Sequence, residues 1–249
     1  MRELKKFLEE EKNKIRYYDK KHEYFFKDLK LISVTTFLNV VDQEEGLEPF
    51  NALKIATEIG NNPNSKYYGV EPKKIMSLWS KKANYGTRKH KQVEQVLDEK
   101  INDDTLMGFF NKNNIHPHNT INEILVYDVE LMLSGRFDLA TVEGDEIYIH
   151  DVKTSDPLTA DKIHHYSKQI LIYSILLNRM LKKSGLNFKV KPGKIIHVPP
   201  KYDILDERID FTNLDDFLYP ELVDLELTEY DITLVKKLLL KRKNDFKNK

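Results

Sequence analysis

Gly135-Arg-Phe-Asp138-Leu-Ala-Thr-Val-Glu143-Gly-Asp-Glu146-Ile-Tyr-Ile-His-Asp151-Val-Lys153 is the stretch that decides the fold. Apolar residues alternate with polar ones on both sides of Gly144-Asp145, and Gly-Asp suits a two-residue hairpin loop. The turn then sets the register. Five residues back from Glu143 is Asp138 and five on from Glu146 is Asp151, so the two aspartates face each other. Like charges directly across strands are destabilising, and the resolutions are a bound cation or a raised pKa on one carboxyl. Alternation puts Lys153 on the face of Asp151 and turns His150 and Val152 away. Oxygen ligands without soft ones point to Mg²⁺ or Mn²⁺ rather than zinc or copper. A divalent ion beside a lysine suits phosphodiester hydrolysis, with Lys153 orienting or acidifying the attacking water and offsetting charge on the phosphorane.

Working outward, Ile124, Val126, Leu131, Leu133, Phe137 and Leu139 alternate from Asn122 on, so the hairpin belongs to a three-stranded meander. Asp161–Lys183 has helical periodicity, and Phe188–Val198 reads as a strand ended by Pro199-Pro200. Before the meander, Glu71-Pro72 opens a long helix running through Trp79 to about Ile101. Gly86 interrupts it. A helix-interior glycine costs about 1 kcal/mol relative to alanine, so it marks a break or the close approach of a backbone or ligand.

At the N-terminus, Leu4, Phe7 and Leu8 predict a helix, and Ile15–Tyr18 with Tyr24–Phe26 a hairpin around the turn Asp19–His22. Ser33 or Thr35 caps a following segment, Phe50–Ile59 is amphipathic and Gly60–Ser65 is a loop. Beyond the core, Arg208–Phe211 reads as an edge strand and Asp231–Lys249 as a helix ending in a basic tail. The expectation is an α/β chain of one domain over residues 1–249. It has a hairpin and helical lobe in 1–70, a core of helix, three strands, helix and strand in 71–200, and an extension in 201–249.

The 249 residues include 40 Lys and Arg against 40 Asp and Glu, and no Cys, which excludes disulfides, thiolate zinc sites, cysteine-ligated iron–sulfur clusters and a Cys nucleophile. Apolar runs such as Ile170–Leu177 fall far short of the roughly 20 residues that span a bilayer. Met1–Glu10 lacks the apolar stretch of a secretory signal, so a cytoplasmic setting without membrane partners is expected.

Two helices bring further groups toward the aspartates. Gly86, His90 and Glu94 share one helix face, where His90 can supply a nitrogen to the metal, while Glu94 suits pairing with a basic residue or orienting His90. Gln169 and Tyr173 are four apart and face the same cleft if their helix packs beside the strand of Asp151. Arg88, Lys89 and Lys91 surround this site and suit phosphate neutralisation, with a steep salt dependence of DNA binding. Trp79 and Tyr85 are candidates to stack on an unpaired base, with core packing the plainer role for Trp79. His116-x-His118 and His164-His165 are set aside as metal ligands, the first for want of a third ligand and the second as part of a helix approaching the cleft. Asp-x-Lys is common by itself: the same pattern stands at Asp19, Asp28, Asp98 and Asp245.

In this order, Gly86-Thr-x-x-His90-x-x-x-Glu94, Glu123, Gly135-x-x-Asp138, Asp151-x-Lys153-Thr154 and Gln169-x-x-x-Tyr173 resemble the motifs of PD-(D/E)XK nucleases of the RecB type. Ser33-Val-Thr-Thr, Lys66-Tyr-Tyr-Gly69 and Trp79 look like the N-terminal half of phage exonucleases and mitochondrial genome maintenance exonucleases, and the likeness covers roughly residues 31–200. The resemblance implies a restriction-endonuclease-like core, with Asp138, Asp151 and His90 as metal ligands joined by the backbone carbonyl of Val152. Lys153 would be the catalytic lysine and Gln169 and Tyr173 its support, with Glu94, Glu123 and Arg88 as supporting or substrate-binding groups. It also implies an exonuclease giving 5′-phosphate products from DNA ends, in a host cytoplasm if phage-encoded. An annealing, single-strand-binding or helicase protein would be a separate chain, since no phosphate-binding loop is present. A structure-specific or restriction-type endonuclease and a non-catalytic DNA-binding module are the alternatives. Phe137 stands where the family name has Pro, and iron–sulfur subgroups are excluded by the missing cysteines.

Overall fold

A computed structural model describes residues 1–18, 23–155, 157–200 and 217–247. Helix α1 (Arg2–Lys12) buries Leu4 and Leu8 one turn apart and leads into the hairpin β1 (Ile15–Tyr18) and β2 (Glu23–Phe26). A tight turn, with Lys27 at φ 54°, returns the chain as β3 (Leu29–Ser33). Ser33 caps α2 (Val34–Glu44), its hydroxyl accepting from the Thr36 N–H at 2.9 Å. Asn51 does the same for α3 (Ala52–Asn61), and Pro72 opens α4 (Pro72–Leu97).

The helix α4 corrects two expectations. It ends at Leu97, and it runs unbroken through Gly86. The glycine is there for closeness: a Cβ on it would lie 2.9 Å from Thr154 Oγ1, in the loop that follows Lys153. A short helix that the sequence reading lacks, α5 (Asp104–Lys112), follows with Asp103 as its cap.

The meander is β4 (Thr120–Asp128), β5 (Leu133–Glu143) and β6 (Glu146–Lys153), all antiparallel. Leu131, expected in a strand, instead lies in the β4–β5 turn, which Asp128 organises by accepting the Glu130 and Leu131 N–H groups. Helix α6 (Ala160–Ser184) ends at Gly185 in the left-handed region (φ 77°) and returns the chain to β7 (Lys189–His197), parallel to β6. A short β8 (Glu221–Val223) and α7 (Glu229–Lys247) complete the described chain; the expected strand at Arg208–Phe211 lies outside the described residues. The strands form one mixed sheet in the order β1-β2-β3-β5-β6-β7-β8, with β4 pairing β5, so the chain is α/β. One apolar cluster joins α1, α2, α6 and α7 to the sheet; another packs α4 and α5 against Leu139, Val152, Ile196 and Val198. Among the described residues no helix is long and apolar enough to cross a membrane.

Strand β5 holds the middle of this arrangement. On one edge it pairs with β4 along its length. On the other, β6 accompanies it only from Glu143 down to Leu139, and β3 meets it in parallel only at Leu133 and Ser134. Between those contacts β5 and β6 part like a fork, and Asp138 sits in the crotch.

Candidate active site

The hairpin register set by Gly144-Asp145 holds from Glu143↔Glu146 to Leu139↔His150, where the ladder ends, and Asp138 and Asp151 stand just beyond it, near enough for their carboxyls to interact. Here the side chain of Asp138 replaces a ladder bond across the fork: its Oδ2 accepts the Val152 N–H at 2.7 Å. Alternation also breaks at this level. Phe137 packs in the cluster of α6, its ring 5.7 Å from that of Tyr173, whereas Leu139 packs toward α4 and α5. Strand β4 is distorted at the same height. Asn122↔Leu139 and Ile124↔Phe137 remain paired, while Glu123 between them adopts φ 51°. Glu123 is thus interior to β4; its carboxylate, Asp138 and Asp151 come from neighbouring levels of three adjacent strands.

Helix α4 closes one side of the fork. His90 Nδ1 lies 3.1 Å from Asp138 Oδ1. From α6, Gln169 Oε1 accepts from Lys153 Nζ at 3.3 Å and Gln169 Nε2 donates to the Tyr173 hydroxyl at 3.4 Å. Lys153 Nζ lies 2.5 Å from Asp151 Oδ2 and 4.3 Å over the ring of Tyr166. Lys153 is the one cation in contact with Oδ2 of the buried Asp151, which meets no other hydrogen-bond donor among the described residues. Tyr173 is buried, its ring so close to Gly135 that a Cβ there would meet Cε1 at 2.7 Å, and it supports Gln169 from the core.

The charges settle unevenly. Burial pushes the carboxyl of Asp151 up, helped by Asp138 and opposed by Lys153. Asp138 goes down despite its burial, because His90, Lys153 and the Val152 N–H favour its ionised form. Burial works to lower His90 and Lys153, yet the aspartates hold both above their ordinary values. Glu123, half-buried and near Asp138 and Glu94, is raised to about 6 by that partial burial although Arg136 pairs with it at 2.8 Å. Two aspartates, a histidine and a lysine are thus crowded together at the crotch of the fork.

His90, Glu123, Asp138, Lys153 and Tyr166 line a cleft of about 1020 Å³, whereas Asp151, Gln169 and Tyr173, the last two expected to face it, are not part of its lining. Arg88 and Lys91 stand on its α4 wall. Glu94 also faces it but bonds Lys91 at 2.6 Å rather than His90. Tyr85, a stacking candidate in the sequence, is buried under α4 and presents no ring to the cleft. The aromatic groups that do reach it are Tyr17 and Tyr166, and Arg136 joins them. Sequence reasoning passed over all three. Tyr166 shares a helix face with Gln169 and Tyr173, and Arg136 shares a strand face with Asp138, so both were open to discovery; Tyr17 arrives through the long-range β3–β5 pairing.

The histidine pairs set aside earlier lie elsewhere. His116 and His118 stack on each other at 5.2 Å. His164 joins Glu45 and Asp231, one ligand atom from each within 4.8 Å of the others. These groups already have partners: Lys168 bonds Glu45 and Asp42, while Asp231 pairs with His164 at 2.7 Å and accepts from Thr228.

No protein-family model and no curated protein matches the chain. Among solved structures it is similar to one described as the crystal structure of SSO0001, at 16% identity over 98% of this chain and 84% of that one. The TM-score is 0.40, a likeness too slight to carry an inference about fold or function.

Proposed function

We propose that the chain is a Mg²⁺- or Mn²⁺-dependent deoxyribonuclease with a PD-(D/E)XK core, acting as an exonuclease on DNA ends. The observation that carries this reading is the pair of carboxylates at the crotch of the fork, Asp138 and the buried Asp151, whose Oδ2 meets no donor but Lys153. The donor set fits a hard divalent ion: two carboxylates, with His90 beside them and, on the resemblance, the Val152 carbonyl. When bound, the ion supplies Lewis-acid stabilisation of the charge that grows on the phosphate.

The remaining work falls to the chain itself. Lys153, held by Gln169, orients the attacking water and offsets negative charge on the phosphorane. In the in-line displacement a water oxygen bonds to phosphorus and the P–O3′ bond breaks, leaving a 5′-phosphate and a 3′-hydroxyl. Tyr173 keeps Gln169 in place from the core. Arg88 and Lys91 on the α4 wall suit the flanking phosphates. Annealing, single-strand-binding or helicase activities would belong to separate partner chains.

The test is degradation of end-labelled linear DNA, single- and double-stranded, beside closed circles, with Mg²⁺, Mn²⁺ or EDTA. Metal-dependent loss of linear DNA alone, abolished by Asp151→Ala and Lys153→Ala, is expected. Cutting of circles would replace the exonuclease with an endonuclease on the same site. Inertness with retained DNA binding would overturn the catalytic reading.

A further inference from the structure

The wall of the cleft opposite α4 has chemistry that hydrolysis does not use. Tyr24 is buried in a small cluster beneath β1 and β2, and the ring of Tyr17 stacks on it with centroids 4.7 Å apart and planes 24° from parallel. The guanidinium of Arg136 follows, 5.1 Å from the Tyr17 centroid. Glu123 fixes that guanidinium through Nε at 2.8 Å, and the Arg136 side chain remains 39% exposed. Tyr17 and Arg136 both line the cleft, and Arg136 stands two residues from Asp138 on the same strand. Three flat groups therefore run from the core to the cleft, and the last carries positive charge.

A wall built only for stability needs no flat cation at the end that lines the cleft. A surface that receives a nucleotide does, because aromatic rings and Arg planes stack on unpaired bases of any sequence while the guanidinium attracts the adjoining phosphate. Bases within a duplex have both faces covered by their neighbours and cannot join such a stack. We infer that Tyr17 and Arg136 form a single-strand-binding wall, on which the base next to the scissile phosphate continues the stack, so that the substrate engaged is an unpaired strand. This deepens the nuclease reading and rests on it for the meaning of "scissile", but the binding surface is tested separately.

The experiment measures fluorescence anisotropy of a labelled oligothymidylate and of a blunt hairpin duplex, with Ca²⁺ present, on the intact chain carrying Asp151→Asn. Tyr17→Ala is expected to weaken binding of the single strand about tenfold or more, the range of base–aromatic stacking. Tyr17→Phe, which keeps the ring, should restore it. Arg136→Lys keeps the charge but not the plane and should weaken single-strand binding severalfold, with duplex binding unchanged in every variant. Should Tyr17→Ala fail to fold, Arg136→Lys leaves the aromatic stack intact and decides the matter. In the Asp151-intact enzyme the same changes should raise KM for single strands more than they lower kcat. Variants that bind both substrates like the parent would overturn the wall while leaving the nuclease standing. A chain that cleaves nothing yet loses single-strand binding with Tyr17→Ala would do the reverse.

Discussion

Glu123 combines a left-handed backbone with a carboxyl raised to about 6, and both are costs to the folded chain. A carboxyl raised in the folded state holds its proton longer there than in the unfolded chain. Without metal, stability should therefore fall as pH rises from about 4.5 through about 6, by at most about 2 kcal/mol for this group. Glu123→Gln should flatten that slope in urea titrations at several pH values while leaving the φ cost in place. Glu123→Asn should relieve part of the backbone cost as well, since Asn tolerates the left-handed region, and raise the midpoint further. A slope unchanged by either variant would show that the carboxyl is not the titrating group.

Among the elements, β5 repays attention because three others meet on it. At Gly135 a Cβ would lie 2.7 Å from Tyr173 on α6 and 3.0 Å from Val34 on α2. Both neighbours are packed and cannot both retreat, so Gly135→Ala should cost about 1–3 kcal/mol, seen as a lower urea midpoint with an unchanged slope. The sequence made the β5–β6 hairpin legible because Gly144-Asp145 fixes its register locally as far as Leu139↔His150, which leaves Asp138, Asp151 and Lys153 close together just beyond it. Helical spacing likewise brought His90, Gln169 and Tyr173 to the same place. The β3–β5 contact was not legible: a parallel pairing of two residues leaves no turn to announce it. The distortion shared by Glu123 and Asp138 escaped for a related reason, since it arises from strands already paired on both sides of it.

Over the whole molecule, ion pairs made by sheltered carboxylates tie the layers together. Asp128, nearly fully buried, holds the β4–β5 turn and accepts from Arg179 at 2.7 Å and Lys183 at 3.1 Å on α6. Asp42 on α2 meets His165 and Lys168 of α6, and Asp231 of α7 meets His164. Burial works to raise all three carboxyls, but their partners win and hold them below the ordinary aspartate value. Their contribution is present above about pH 4 and lost as pH falls through the lowered values, so acid should unfold the chain from this side. Asp128→Asn leaves two partly exposed cations facing a neutral amide and should cost about 1–3 kcal/mol at pH 7, with a shallower acid transition by circular dichroism.

The fork between β5 and β6 bears on the order in which the molecule assembles. Asp138 reaches Val152 across 14 residues of chain, Lys153 reaches Gln169 across 16, and Asp138 meets His90 across 48. Short loops close first, so the two aspartates are pressed together in a nascent hairpin before the long helix docks. That hairpin carries its own countercharge in Lys153, and the repulsion at its centre is held in check from within while the rest of the chain is still arriving.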